Sequence, residues 1–190
     1  MINGIDVRQV PVAIWRRWVS FVPQQSMLFS TTIAENIQMA RPPDAARLAA
    51  AISCAVLGAE VANFPQGLAT SVGESGVTLS GGQRQRISVA RAYYHGGSLV
   101  ILDDTTSAVD AVTETRLLAQ IRQRLSHAML VIISHRVSTL QACDEILLLE
   151  HGRIVDRGTH AALCQRSALY RATWDYERRV HEGRGTDHGG

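Results

Sequence analysis

The chain has 190 residues, 46% of them hydrophobic and 19% charged. That is enough apolar material for one ordinary domain and too much for wholesale disorder. Its 19 basic and 17 acidic residues nearly cancel, which argues against nucleic acid or an anionic membrane as the main partner. Every basic residue is Arg, so chemistry that needs a lysine of this chain is excluded, whether a Schiff base or the lysine of a phosphate-binding loop.

Taken in chain order, residues 18–22 read as a first buried strand. Pro43 and Asp44 open a helix expected over residues 45–56, with Gly58 as its stop. Residues 80–94 read as a helix with a glycine-rich start. Residues 99–102, 129–133 and 146–149 are apolar throughout, the pattern of strands buried on both faces of a parallel sheet. Between them Asp110 caps a helix whose apolar stripe is Leu117, Leu118, Ile121 and Leu125. Ile154 and Val155, after His151-Gly152-Arg153, continue as a hairpin.

The second half thus alternates strand and helix, which predicts an α/β fold. Residues 31–96 are mostly helical and read as an inserted helical subdomain. The end of the chain, rich in Gly, His and charge, reads as a frayed tail over residues 179–190. Cys54, Cys143 and Cys164 are odd in number and widely spaced, so neither a disulfide framework nor a zinc site is expected. No secretory signal pattern precedes the fold, and the longest apolar runs are far too short to cross a bilayer.

Three segments carry chemistry. LVILDD, residues 99–104, is a buried strand ending in two carboxylates, Asp103 and Asp104. Open α/β sheets bind ligands at that edge, and an acid there commonly holds Mg²⁺ on a nucleotide phosphate. Taken alone, it reads equally well as a strand ending in an exposed Asp turn. LSGGQRQR, residues 79–86, lets Ser80 cap a helix while Gly81 and Gly82 clear the way for backbone N–H groups to reach an anion. Gln83 adds a side-chain donor. In IISHR, residues 132–136, His135 follows a strand directly, where an imidazole can bond a γ-phosphate or orient water. A single His is more often structural; the order of the three segments favours the functional reading.

These segments resemble the nucleotide-binding domain of an ABC transporter of the exporter type. LSGGQ is similar to the family signature, LVILDD to Walker B, and Ser107-Ala108-Val109-Asp110 to the D-loop. His135 resembles the switch histidine, and Val22-Pro23-Gln24 the Q-loop. TSVGESG, residues 70–76, is similar to the X-loop. LFSTTIAENI, residues 28–37, is similar to the segment that meets the membrane domain's coupling helices. GTHAAL, residues 158–163, resembles the domain's end, and the match covers residues 1–178.

The resemblance implies an incomplete P-loop NTPase (ABC ATPase) core that uses ATP and Mg²⁺. Asp103 and Gln24 take the metal positions. Asp104, His135 and Gln24 take the catalytic ones. Ser80, Gly81, Gly82, Gln83 and Asp110 face the nucleotide of the opposite half. Arg84 and Arg86 read as either a solvated face or a phosphate contact, and Asp110 equally well as a plain helix cap. The implied partners are a second nucleotide-binding domain and a membrane domain, with the chain held at the cytoplasmic face of the membrane.

Two departures shape the expectations. There is no G-x-x-x-x-G-K-[ST], and MING, residues 1–4, is similar to the strand that follows Walker A. The chain therefore reads as the C-terminal part of a larger subunit, unable to bind ATP alone, with uncovered apolar strand faces and poor stability in isolation. In addition, Asp104 stands where the family usually has Glu, one methylene longer. The resemblance then points to a heterodimeric exporter in which this half lends its intact signature to the partner's site, with a slow homodimer as the alternative. A non-enzymatic signature donor or remnant is a second reading. A soluble ABC ATPase of DNA repair or translation is a third, opposed by TSVGESG, LFSTTIAENI and the lack of a coiled-coil insertion.

Overall fold

The computed structural model describes residues 5–39, 41–73 and 76–184, the last four by backbone alone. MING and the centre of TSVGESG, residues 74–75, lie outside the described residues. The chain forms two compact units, residues 1–133 and 134–190.

In the first unit β1 (Val19–Val22), β2 (Leu99–Asp103) and β3 (Met129–Ile133) are parallel, in that order across the sheet. Parallel strands need crossovers. The first carries α2 (Ile33–Gln38), α3 (Ala45–Cys54), α4 (Gly58–Asn63) and α5 (Gly81–His95), and the second carries α6 (Ala111–Arg124). A short helix, α1 (Val12–Trp18), precedes β1. Trp18 therefore ends a helix, and the strand expected to begin there begins at Val19.

Side chains alternate across a strand, and the two faces of this sheet differ. Val22, Val100 and Leu102 are buried in one core with Ile87 and Tyr94 of α5 and Leu117 and Ile121 of α6. On the opposite face the register aligns Phe21, Ile101 and Val131 in one row. There Phe21 is 54% exposed, Met129 70%, Val131 39% and Ile133 49%. Burial on both faces, expected from the uniformly apolar strands, holds for one face only among the described residues. The other is the uncovered face expected of an incomplete core.

Local signals explain most helix boundaries. The Asp44 carboxylate accepts the Arg47 N–H at 2.9 Å and starts α3. The end of α3 differs from the expected stop at Gly58. Leu57 N–H bonds Ile52 O at 3.0 Å and Val56 N–H bonds Ser53 O at 3.2 Å, the paired bonds of a Schellman motif. Val56 takes the left-handed position usually given to Gly, at φ 54°. Arg86 holds it there: its guanidinium donates to Val56 O at 2.8 Å and pairs with Glu60. Arg86 is thus buried and structural, neither a solvated residue nor a phosphate contact. Gly58 begins α4 instead.

In the second unit β4 (Ile146–Glu150) and β5 (Arg153–Gly158) form an antiparallel hairpin. His151 at φ 48° and Gly152 at φ 75° fill its two-residue turn, as the twist of a tight hairpin requires. Three helices complete the unit: α7 (Val137–Leu140), α8 (His160–Arg166) and α9 (Ala168–Arg184). Val137, Ile146, Leu163 and Tyr170 form its buried core. His160 Nδ1 lies 2.9 Å from the Tyr170 hydroxyl, and burial pushes that phenol up to about 12. Among the described residues no helix is long and apolar enough to cross a membrane.

Candidate functional site

The parallel strands of the first unit deliver their carboxyl ends to one edge, where open α/β sheets place their ligands. Asp103 is the last residue of β2. Asp104 follows with its N–H donated to Ile133 O at 2.9 Å, which extends the β2–β3 ladder by one bond. Its φ of 44° is a left-handed conformation for a non-glycine residue, the kind of local strain that collects at functional sites. Gln24, two residues beyond β1, donates from Nε2 to Asp104 Oδ2 at 3.2 Å. Residues 80 positions apart are so joined because neighbouring strands end together.

The start of α5 forms the second element. Ser80 Oγ accepts the Gln83 N–H at 3.1 Å, and Gln83 Oε1 accepts the Ser80 N–H at 2.9 Å, a complete capping box. Both bonds use acceptors, so the Ser80 hydroxyl proton and the Gln83 amide hydrogens are not spent in them. The first backbone N–H groups of the helix carry its positive end.

Gly81 and Gly82 also serve packing. A Cβ on Gly82 would sit 2.8 Å from Ala108 O, and one on Gly81 would sit 3.3 Å from Ala108 Cβ. The glycine pair is seated against the turn at residues 107–109, in which Ser107 Oγ donates to Asp104 O at 2.9 Å. Arg84 is exposed and bonds Leu79 O at 2.6 Å.

Gln85 was not among the residues singled out by sequence reasoning. It is 5% exposed. Its Oε1 accepts the Ala108 N–H at 3.3 Å. Its Nε2 faces Gln24 O at 3.3 Å, Ser107 Oγ at 3.4 Å and Asp104 O at 3.5 Å. One side chain therefore ties α5 to the residues after β1 and the turn after β2. The available signal was helical spacing: Gln85 lies three residues after Gly82 and four before the buried Val89, on one face of the helix.

Asp110 caps α6 by accepting the Thr113 N–H at 2.9 Å. That bond holds its exposed carboxyl below the usual carboxylate range. His135 is exposed and lies in the second unit, in the segment before α7. The segment at residues 28–37 is anchored to α5 by Arg91, which donates to Asn36 O at 2.7 Å and Met27 O at 3.1 Å. It leaves Met27 and Phe29 exposed.

Asp103, Asp104 and the Gln24 amide oxygen are hard donors of the kind Mg²⁺ takes. Among the described residues no group of three His, Cys, Asp or Glu side chains forms a metal cage. The donor set thus suits an ion that keeps most of its shell from phosphate and water.

Residues 1–107 match the family described as ABC transporter. The chain belongs to that family. This ABC transporter chain is 39% identical, over 90% of its length, to an ATP-dependent lipid A-core flippase of Burkholderia orbicola. It is 40% identical, over 91%, to a probable multidrug resistance ABC transporter ATP-binding/permease protein of Bacillus subtilis. It covers 29% and 30% of those proteins. Among solved structures a bacterial Atm1-family ABC exporter with ATP bound superposes with a TM-score of 0.88 at 37% identity, over 94% of this chain and 32% of that one. The fold is that of part of an ABC exporter's nucleotide-binding domain, and the chain spans less than a third of the relatives it matches.

The position of Gln85 makes one prediction. Gln85→Glu replaces an amide donor with a carboxylate facing three oxygens. This substitution is expected to loosen the turn at residues 104–108, with amide exchange there at least about tenfold faster. Hydrogen-exchange measurement checks it; unchanged exchange would show that Gln85 does not hold the turn.

Proposed function

We propose that this chain is the catalytic part of the ATPase of an ABC exporter, driving transport by a membrane part that lies elsewhere in the subunit. The observation that carries this reading is the Gln24 amide bonded to the Asp104 carboxylate at the carboxyl end of the parallel sheet, beside Asp103. Gln24 and Asp104 orient the attacking water, and His135 bonds the γ-phosphate. Asp103 and Gln24 would hold Mg²⁺, which when bound neutralises charge on the phosphates. Ser80, the N–H groups of Gly81 and Gly82, and Gln83 bind the γ-phosphate of the ATP held by a second nucleotide-binding domain, so that ATP closes the pair. Asp110 stands at that same interface as well as capping α6. The Met27–Phe29 surface meets the membrane domain, which holds this chain at the cytoplasmic face.

Asp104 favours a pair of unlike halves. Its carboxylate is one methylene shorter than Glu and is already bonded to Gln24. The water in this half's site is therefore poorly reached, while the signature remains whole and serves the partner's site. The test is Mg²⁺-dependent ATP hydrolysis by the complete, membrane-reconstituted exporter. With unlike halves, Asp104→Asn is expected to change the rate by less than about threefold; in a pair of identical halves it should cut the rate about 100-fold or more. Absence of any ATP hydrolysis by the purified, partnered exporter would overturn the ATPase reading itself.

A further inference from the structure

The second unit contains a tie that the proposed mechanism does not use. The Glu177 carboxylate, on α9, accepts the Val137 N–H at 2.6 Å and the Ser138 N–H at 3.0 Å. These are the first two backbone donors of α7. A helix start normally satisfies such donors with the side chain of its own N-cap residue. Here the N-cap is Arg136, whose side chain makes no capping bond. A carboxylate 40 residues further along the chain takes over.

A four-residue helix has no stability of its own. The fold holds α7 by this carboxylate and by the burial of Val137 and Thr139, at 4% and 2% exposure. The segment before α7 is short. Residues 134–136 separate the end of β3 from the cap, and within them Ser134 Oγ accepts the Arg136 N–H at 3.0 Å. His135 is the middle residue. With a turn on one side and a charge-assisted double bond on the other, its backbone has little room to move.

We infer that Glu177 is a positioning residue for His135: through the two N–H groups that open α7, the last helix of the chain sets the segment that presents the imidazole. This rests on the reading of His135 as a γ-phosphate contact. It adds a regulatory consequence, because displacement of α9 by a partner would release the histidine segment without touching the nucleotide.

The test uses the complete exporter carrying Asp104→Glu, with the partner half's own site silenced where the halves are unlike, so that kcat reports the site to which His135 belongs. In that background it compares Glu177→Ala, Glu177→Gln and His135→Gln. The readouts are kcat and KM for ATP, amide hydrogen exchange over residues 134–140, and Tm. Glu177→Ala is expected to lower kcat about tenfold, as small displacements of a catalytic group do. KM for ATP should stay within twofold, and the amides at residues 137–138 should exchange at least about tenfold faster. Glu177→Gln keeps one acceptor and the shape, and should lose about two- to fivefold in kcat; it carries the test if the Ala variant fails to fold.

Faster exchange with kcat unchanged would overturn the proposal, since the cap would then be structural only. A fall in kcat with unchanged exchange would overturn it too. If His135→Gln leaves kcat unchanged, the reading of His135 has failed, and Glu177 then has nothing to position. If His135→Gln lowers kcat and neither Glu177 variant does, the positioning proposal alone has failed.

Discussion

Gly82→Ala in the complete exporter is expected to reduce ATP hydrolysis about 100-fold or more, with little change in thermal stability. The two parts of this expectation have different origins. Ala is a better helix former than Gly by about 1 kcal/mol, and Gly82 lies in the first turn of α5, so the helix itself gains. The loss arises outside the helix, where the new Cβ would stand 2.8 Å from the carbonyl oxygen of Ala108. That contact forces apart the glycine pair and the turn at residues 107–109. It also places a methyl group where, on the proposed function, the backbone N–H approaches phosphate. Removing one such preorganised donor costs about 10²–10³ in rate. Gly58→Ala is the control, because a Cβ there meets nothing within 4 Å. Phosphate release and a melting curve on both variants decide the matter. A Gly82→Ala exporter hydrolysing ATP within threefold of the parent would show that this helix start does not bind the transferred phosphate. Combined with the Asp104→Asn measurement, the result also separates the halves: loss from Gly82→Ala with tolerance of Asp104→Asn marks a chain whose signature works for its partner.

What the sequence made legible follows the range of the interactions. Caps are local, and Asp44, Ser80 and Asp110 all accept the N–H three residues ahead, as the side-chain types and spacing imply. The stripe of Leu117, Leu118 and Ile121 is buried for the same reason of simple period. Even the site's long-range pair, Gln24 with Asp104, was accessible, because the resemblance assigns both to strand ends that a parallel sheet brings together. The misses depend on partners far along the chain. Nothing near Val56 says that a β-branched residue will end α3, since Arg86, thirty residues on, holds that conformation. Arg86 looked like a surface or phosphate residue because its partners, Val56 O and Glu60, lie outside the helix that carries it. Gln85 was hidden beside the stronger LSGGQ signal, and its four contacts come from two segments far from each other in sequence. Glu177 lies just before the stretch read as a frayed tail and in no motif, and its bonds to α7 are visible only when α7 is seen beside α9.

The chain expressed alone is expected to self-associate at micromolar concentration, and the sheet shows where. Phe21, Ile101 and Val131 align across the three strands, with Met129 and Ile133 on the same strand and face as Val131. Four of the five are more than a third exposed. β3 pairs only with β2 among the described residues, so its other edge presents backbone donors and acceptors next to that apolar face. An open apolar face beside an open strand edge is the combination that recruits further strands. Val131→Lys places a charge in the middle of the row and is expected to restore a monomer to the isolated chain, as edge and face charges do in natural sheets. In the complete subunit the sign should reverse. If the Walker A segment that the resemblance implies covers this face, the same Lys is buried without a partner and should destabilise the domain by roughly 4 kcal/mol. Sedimentation and dye binding read the first effect, and denaturant unfolding of the subunit reads the second. An isolated chain that sediments as a monomer without binding dye would show that the face is covered by the chain itself. A complete subunit indifferent to Val131→Lys would show that nothing else in the subunit packs there.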